Sequence, residues 1–439
     1  MMKTFFSGVV WIGIYLALVL APLLVLLIGP MPPGAGFWWD LSMAIGFAGI
    51  AMLGVQFVLT ARFRRASAPF GLDILYYFHR TMAIFAFVLI CSHYLLIRVV
   101  NPDALGTANP LTAPWYMTSG RAALLCFAAV IVTAVWRKPL GIPYDAWRLA
   151  HVLLTLMGLL LAVGHIEGVD YYLNAPGKRP LWIAFTLSWV LLIVYVRAFK
   201  PWRMRKTPYR VVDVKPETGN TWTLALQADG HAGLRFQPGQ FAWLTLRASP
   251  FALKEHPFSF SSSAERPQRL EFTIKDRGDF TRTVPTIAAG EVAYLDGPYG
   301  AFSVDRYAAP GFVFIAGGVG IAPIMSMLRT LADRHDTRPL LLVGANNRRE
   351  GIIFREALED LQKRLSLRVV HVLEQPGADW NGECGVVTQA LLEKTLPENR
   401  RQLEYFLCGP KPMTLCVEQA LRGLRVPLGR VHTELFDLA

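Results

Sequence analysis

The chain has 439 residues, of which 53% are hydrophobic, and its formal net charge is +12. This length suggests more than one domain, and the mean hydropathy of +0.35 is too high for an ordinary soluble protein. The charge does not indicate a nucleic-acid-binding protein, because it is concentrated in residues 1–206, which hold 17 Lys and Arg against 6 Asp and Glu, whereas residues 207–439 hold 27 against 26.

Apolar runs long enough to cross about 30 Å of hydrocarbon recur before residue 207. They predict an all-α bundle of six transmembrane helices, at residues 5–28, 38–60, 74–98, 119–136, 147–166 and 181–198. The first run lacks an obvious small-residue cleavage site and is followed by further spans, which favours an uncleaved anchor over a signal peptide. Basic residues cluster at the N-terminus and in the loops on its side, so both termini are predicted to lie in the cytoplasm and the bundle in the inner cell membrane.

Residues 1–206 contain four histidines in two pairs of equal spacing, His79/His93 and His151/His165. At about 100° per residue, the second imidazole of each pair lies only about 40° around the helix from the first and about 21 Å further along it. The third and fifth predicted helices run in the same direction, so one member of each pair lies at the cytoplasmic level and the other at the outer level. Two such helices side by side would present two facing imidazole pairs, each able to ligate a haem iron from both sides.

The histidines could instead form local hydrogen bonds inside a helix bundle, or they could make a transport site for a metal ion. The first role is disfavoured because local hydrogen bonding requires neither equal spacing nor matched depth. The second is disfavoured because no intramembrane cluster of Asp, Glu or Cys accompanies the imidazoles. Ionisable residues in a membrane span are costly and usually functional, so the pattern predicts an electron path across the bilayer.

The second half of the chain changes pattern after the basic segment 197–210. Residues 207–308 read as short strands separated by turn residues, which predicts an antiparallel β-barrel. Residues 309–439 alternate apolar strands with amphipathic helices, which predicts an α/β doubly wound domain. The predicted organisation is therefore a membrane domain at residues 1–206 followed by these two domains.

Three segments of the predicted barrel contain residues suited to a flavin. "HPFSFSSS" (256–263) could supply backbone and hydroxyl hydrogen bonds to the ring, although an ordinary strand flanked by turns accounts for it equally well. "GDFTR" (278–282) and "DGPYGAF" (296–302) are glycine-rich turns of the kind that bring backbone N–H groups to phosphate oxygens.

A nucleotide-binding pattern begins the last domain. "VFIAGGVGIAPIMSML" (313–328) reads as a strand, a glycine loop and a helix, so that a pyrophosphate can approach the helix N-terminus. The loop departs from G-x-G-x-x-G, because Ala322 and Pro323 occupy its end. After the next strand, Arg348 and Arg349 lie where the 2′-phosphate of NADPH would bind, which favours NADPH over NADH; the alternative for two surface arginines is a solvated loop.

With these motifs in this order, the chain resembles the ferric reductase / NADPH oxidase family, in a compact form. About 230 C-terminal residues resemble the ferredoxin–NADP reductase superfamily, and "LCGPKPM" (407–413) and a near-terminal aromatic residue complete the pattern. The family usually has Thr at the position of Ser259, which keeps the hydroxyl group. Three residues follow the aromatic residue here, whereas many relatives end on it.

The resemblance implies the following site residues. Those expected to lie against the FAD ring are His256, Pro257, Phe258 and Ser259, and Ser262 is also expected to be a cofactor-binding residue. Those expected to face the FAD pyrophosphate are Gly278 and Thr281. Those expected to form the nicotinamide-nucleotide loop are Gly317, Gly318, Gly320 and Pro323, and those expected beside the nicotinamide are Cys408, Gly409 and Pro410. Phe436 is expected to shield the flavin, and catalytic roles are expected for Ser259, Cys408 and Phe436.

The expected function is electron transfer from cytoplasmic NADPH through FAD and two b-type haems to an acceptor on the extracytoplasmic side. Molecular oxygen and a ferric chelate are both open as acceptors, and a conduit to a periplasmic partner protein is the alternative. Candidate charged helpers are Arg98 at the outer level and Arg80 or Arg148 at the inner level, each of which could equally be an interfacial anchor.

Overall fold

The computed structural model describes residues 2–27, 36–63 and 72–435. The chain divides into two compact units, Met1–Pro201 and Trp202–Ala439. The finer division into domains at residues 206 and 308 stays a prediction.

The first unit is helical. Its long helices are α1 (Met2–Leu27), α2 (Phe37–Thr60), α3 (Leu72–Val100), α4 (Trp115–Val135), α5 (Tyr144–Val169) and α6 (Lys178–Val194). A π-helical turn at Tyr195–Phe199 and the short helix α7 (Lys200–Met204) continue α6.

Five of the predicted membrane spans are present as helices of sufficient length and apolar character. Within the described residues these are Phe37–Thr60, Ile74–Val100, Trp115–Val135, Tyr144–Val169 and Lys178–Met204. In α1 the apolar segment is the shorter Gly8–Leu24, so the six-helix membrane bundle is confirmed for five helices and stays a prediction for the first.

Two antiparallel helix pairs, α2 with α3 and α4 with α5, form the most extensive contacts of this unit. Glycines permit the close approach: a β-carbon on Gly49 would lie 2.7 Å from the Ile90 side chain, and one on Gly158 would lie 2.8 Å from the Phe127 ring. By contrast, α3 and α5, which carry the histidines, make few close backbone contacts with each other among the described residues. The histidine helices therefore belong to different pairs rather than packing side by side.

The second unit begins with a six-stranded antiparallel sheet. Its strands are β1 (Tyr209–Glu217), β2 (Thr221–Ala228), β3 (Phe241–Leu246), β4 (His256–Ser259), β5 (Arg269–Lys275) and β6 (Val292–Tyr299). They lie in the order β4-β3-β6-β1-β2-β5. The two edges of the sheet, at β4 and β5, are joined by a single bridge between Phe260 and Phe272. The edges of the predicted barrel therefore meet at this bridge and not along a continuous ladder of backbone hydrogen bonds.

One predicted turn is partly a strand. Residues 296–299 belong to the end of β6, because their pairing with β3 continues through Asp296↔Trp243 and Tyr299↔Phe241. The turn begins only at Gly300, whose φ of +101° lies in a region that favours glycine.

A six-stranded parallel sheet follows. Its strands are β7 (Phe312–Gly317), β8 (Leu340–Asn346), β9 (Leu367–Leu373), β10 (Glu383–Cys384), β11 (Glu404–Cys408) and β12 (Val431–Glu434), in the order β10-β9-β8-β7-β11-β12. The helices are α8 (Ile321–Asp333), α9 (Arg355–Arg364), α10 (Gln389–Thr395) and α11 (Lys411–Gly423).

The faces of this sheet form two separate apolar cores. Helices α8 and α9 contribute Ile324, Leu328 and Leu358 to one core, and α10 and α11 contribute Leu392 and Leu421 to the other. Helices therefore cover both faces of a parallel sheet, which is the predicted doubly wound arrangement.

Candidate functional site

His93 and His165 line one cavity of the first unit, with a volume of about 390 Å³. The Nδ1 atom of His93 lies 2.9 Å from the carbonyl oxygen of Ser42, and that of His165 lies 2.9 Å from the carbonyl oxygen of Tyr116. A carbonyl oxygen can only accept, so each Nδ1 donates. The proton of each ring is thus on Nδ1, and the lone pair is on Nε2.

The outer histidines each face a glycine on the neighbouring helix. A β-carbon on Gly46 would lie 3.0 Å from His93 Nδ1, and one on Gly120 would lie 2.7 Å from His165 Nδ1. These glycines leave the space that the imidazole rings occupy, so side chains at these positions would displace them.

The inner pair is His79 and His151, each fourteen residues before the outer histidine of its own helix, α3 or α5. His79 Nδ1 lies 2.9 Å from Gln56 Oε1, while Gln56 Nε2 donates to the Met52 carbonyl. His151 Nδ1 is buried and has no hydrogen-bond partner among the described residues. The two inner histidines therefore have different supports, whereas both outer histidines donate to a backbone carbonyl.

Arg121 is a cavity-lining residue that sequence reasoning missed. Its guanidinium donates to the carbonyls of Thr107 and Leu105, at 2.7 and 2.6 Å, and so holds the outer loop that also lines the cavity. Arg98, the sequence-based candidate at this level, is exposed. Nothing in the sequence distinguishes Arg121 from an interfacial anchor, because its role depends on the path of a loop.

In the second unit, the segment His256–Ser259 is the edge strand β4, so one side of its backbone faces away from β3. The His256 ring stacks on Phe280 with centroids 4.0 Å apart and an interplanar angle of 18°. This stacking brings the strand beside the predicted "GDFTR" turn. Phe258 lies 5.9 Å from the same Phe280 ring.

The turn itself is preorganised by Thr281, whose hydroxyl accepts from the backbone N–H groups of Arg277 and Gly278 at 2.8 and 2.9 Å. A β-carbon on Gly278 would meet nothing within 4 Å, so this backbone faces open space. Ser259 and Ser262 are both buried, and the Ser262 hydroxyl accepts from the backbone N–H of Glu271 at 3.1 Å.

The glycine loop lies where the strand order reverses. Strand β7 is flanked by β8 and β11, so Gly317 and Cys408 meet at the carboxyl edge of the sheet. Ligands of open α/β sheets bind at such a switch point. Gly320 packs so closely on the Cys408 carbonyl that a β-carbon would overlap it, whereas Gly318, with φ +54°, faces open space.

The neighbouring residues complete this edge. Pro323 lies in the first turn of α8, where its missing N–H breaks no helical bond. A β-carbon on Gly317 would lie 2.8 Å from Pro410 Cδ, and one on Gly409 would lie 3.0 Å from the Gly317 backbone. Burial and the nearby carboxylate of Glu434 raise the pKa of the Cys408 thiol well above its usual range, so the group is a neutral thiol at pH 7.

The predicted arginine pair follows β8. Arg348 bonds to Gln375 Oε1 through Nε and Nη2 at 3.3 and 3.1 Å, and Arg349 forms an ion pair with Asp379 at 3.1 Å. Sequence reasoning missed Asp379, because it comes from the loop after β9. Phe436 lies outside the described residues; within them, Glu434 at the end of β12 pairs in register with Cys408.

Arg329 on α8 was also missed. Its Nη1 donates to the Ser261 carbonyl at 2.7 Å and to Glu271 at 2.8 Å. The helix that follows the glycine loop is thereby fixed to the serine segment after β4.

Three protein families match successive parts of the chain: "Ferric reductase like transmembrane component" over residues 45–162, "FAD-binding domain" over residues 207–303 and "Oxidoreductase NAD-binding domain" over residues 314–419. Among curated proteins, the stachydrine N-demethylase reductase subunit Stc4 of Rhizobium meliloti is 30% identical over 235 residues, which are 52% of this chain and 66% of that protein. NADH-cytochrome b5 reductase 1 of Pyricularia oryzae is 31% identical over 182 residues, 40% of this chain and 59% of that protein. The chain thus spans less than two thirds of the length of these relatives.

A solved structure, a cytochrome P450 reductase from Amycolatopsis, is 24% identical, with a TM-score of 0.46, and the match covers 52% of this chain and 69% of that one. The three family matches occur in the predicted order and confirm the resemblance found in the sequence. The chain thus matches a ferric-reductase-like transmembrane component, an FAD-binding domain and an oxidoreductase NAD-binding domain in succession, which is the organisation expected of a ferric reductase / NADPH oxidase-like fusion.

Proposed function

We propose that this protein is a transmembrane NADPH-dependent flavocytochrome that delivers electrons to an acceptor on the extracytoplasmic side of the inner membrane. The observation that carries the proposal is the arrangement of four histidines at two levels of α3 and α5, with His93 and His165 on one cavity, in a chain that also matches flavin and nucleotide domains. The positive-inside pattern supports a cytoplasmic location for both termini and for the dehydrogenase half.

The helical residues fit two b-type haems. When bound, each haem would supply a one-electron carrier, and its iron would be held by the imidazoles of His79 and His151 or of His93 and His165. Nδ1–H donation to a carbonyl or amide oxygen fixes the tautomer and directs the Nε2 lone pair at a metal, and His79, His93 and His165 have such an acceptor. The cavity lined by His93 and His165 offers space for such a group at the outer pair.

The second unit fits FAD and NADPH. When bound, FAD accepts two electrons as a hydride and releases them singly. The outward edge of β4, with Ser259, offers hydrogen bonds to the ring, and the open backbone at Gly278 offers room for phosphates. Gly318 and the N-terminus of α8 suit the nicotinamide-nucleotide pyrophosphate, and Cys408, as a neutral thiol, lines that edge without a competing charge.

The acceptor is O2, which would give superoxide, or a ferric chelate. The test uses the detergent-purified protein with NADPH, and compares superoxide formation in air with ferric-chelate reduction under argon. We expect turnover with at least one of these acceptors and no added protein. Superoxide without chelate reduction would identify an NADPH oxidase, and the reverse would identify a ferric reductase.

A second candidate is an electron conduit to a separate partner protein. It is favoured by the similarity of the second unit to Stc4, which is a reductase subunit. Turnover that appears only after a periplasmic fraction is added would support this candidate and contradict a direct small-molecule acceptor. The similarity to an NADH-cytochrome b5 reductase likewise makes NADH the alternative nucleotide.

Replacing Phe436 with serine should strengthen nicotinamide docking on the flavin. The expectation rests on the family resemblance and on β12, which brings Glu434 beside Cys408. An aromatic ring over the flavin is worth about 0.5–1.5 kcal/mol of stacking and must move before hydride can pass. The charge-transfer absorbance of the flavin with NADP⁺ should therefore increase, while the haem spectrum stays unchanged. An unaltered band with normal FAD content would exclude Phe436 from the ring.

A further inference from the structure

The two helix pairs of the first unit both support their outer histidine through a backbone carbonyl, and the Ser42 hydroxyl adds a contact of 3.0 Å to His93 Nδ1. On α2, the Ser42 carbonyl accepts from His93 and Gly46, one turn later, makes room for its ring. On α4, the Tyr116 carbonyl accepts from His165 and Gly120 makes room for that ring. The pairs α2–α3 and α4–α5 are therefore structural repeats, although their sequences show no repeat.

The correspondence between the two helix pairs does not extend to the acceptors of the inner histidines. Gln56 lies fourteen residues after Ser42 and accepts from His79. The residue fourteen positions after Tyr116 is Val130, which is buried and has no side-chain acceptor. Accordingly, His151 Nδ1 is buried and has no partner among the described residues.

We propose that Gln56 is a positioning residue for inner haem ligation, and that the Gln56/Val130 difference makes the inner site asymmetric, with His79 the stronger and His151 the weaker axial ligand. This inference rests on the proposed function, because it concerns histidines that ligate haem. Gln56 is well placed for the role: it is 6% exposed, and its amide nitrogen donates to the Met52 carbonyl, which turns Oε1 towards His79.

The physical consequence concerns the reduction potential of the inner haem. Donation from Nδ1–H raises the basicity of the ligating nitrogen, and a more basic ligand stabilises the ferric state. An inner site in which one histidine donates from Nδ1 to an acceptor should therefore have a higher reduction potential than the same site in which both histidines do. Outer-shell partners of this kind also affect metal-site affinity by about 10- to 100-fold.

The test is a redox titration of the full-length purified protein, with haem content measured alongside. Gln56→Leu should raise the inner midpoint potential and weaken retention of that haem, because neither inner histidine then has an acceptor. Val130→Gln should lower the potential by supplying the acceptor that His151 lacks. The exchange variant, Gln56→Val with Val130→Gln, moves the support from one histidine to the other and should bring the potential back towards the wild-type value.

The outer haem is the internal control and should keep its potential in all three variants; the His93→Ala variant assigns the two titration steps. If Gln56→Leu is unstable, Val130→Gln alone decides the direction of the shift. An unchanged inner potential and normal haem content in both single variants would overturn the inference while leaving the proposed function standing. Wild-type protein that binds no haem would overturn both.

Discussion

Replacing His93 with alanine should remove the outer haem and abolish electron delivery to the outer side, while NADPH still reduces the flavin. His93 lines the apolar cavity together with His165, and its Nδ1 is held by the Ser42 carbonyl. Without this imidazole the iron would keep only one of the two histidine ligands proposed for it, that of His165. The inner pair lies about 21 Å along the helix, so its haem should remain.

The measurement is the pyridine haemochrome content per chain, together with the low-spin absorbance bands of the purified variant. We expect half the wild-type haem and a loss of acceptor reduction of several orders of magnitude. Leu95→Ala is a matched control, because Leu95 lies two residues away on α3 and its side chain is 57% exposed. Retention of two haems in the His93→Ala variant would contradict the ligand assignment.

The helices of the membrane unit could be predicted from the sequence because apolar runs and histidine spacing are local properties. The first five predicted spans fall within the observed α1 to α5, except that residue 28 lies outside the described residues and residue 136 lies one position past α4. Likewise, the glycine loop and the strand–helix alternation predicted the order of elements in the parallel sheet.

The support of the histidines could not be predicted, because it depends on the register between helices. The acceptor for His93 is Ser42, which is 51 residues away in the sequence, and the acceptor for His79 is Gln56, which is 23 residues away. Such partners carry no local signal: Ser42 and Tyr116 each contribute a backbone carbonyl, which every residue has, and the Ser42 hydroxyl reaches His93 only through the register of the two helices. The same reason accounts for the missed Arg121, Arg329 and Asp379, since each acts through a loop or strand distant in sequence.

The arginine pair Arg348 and Arg349 should determine the choice of nucleotide. They follow the carboxyl end of β8, at the edge of the sheet where the glycine loop lies. Their present partners are a neutral amide, Gln375, and an exposed carboxylate, Asp379, which is 81% exposed. An exposed ion pair contributes little to stability, so a 2′-phosphate can displace these partners at small cost.

Replacing both arginines with alanine should therefore lower the preference for NADPH over NADH by on the order of 100-fold. Each charge-assisted bond to the phosphate is worth about 1.5–3 kcal/mol, and each 1.4 kcal/mol is about tenfold in affinity, so two bonds at the lower limit suffice.

The measurement is the ratio of kcat/KM for the two nucleotides with flavin reduction as readout. Arg400→Ala with Arg401→Ala is the matched control, because that pair precedes β11 and so lies at the amino edge of the parallel sheet. An unchanged ratio in the Arg348/Arg349 variant would mean that these side chains face only solvent and do not bind the 2′-phosphate.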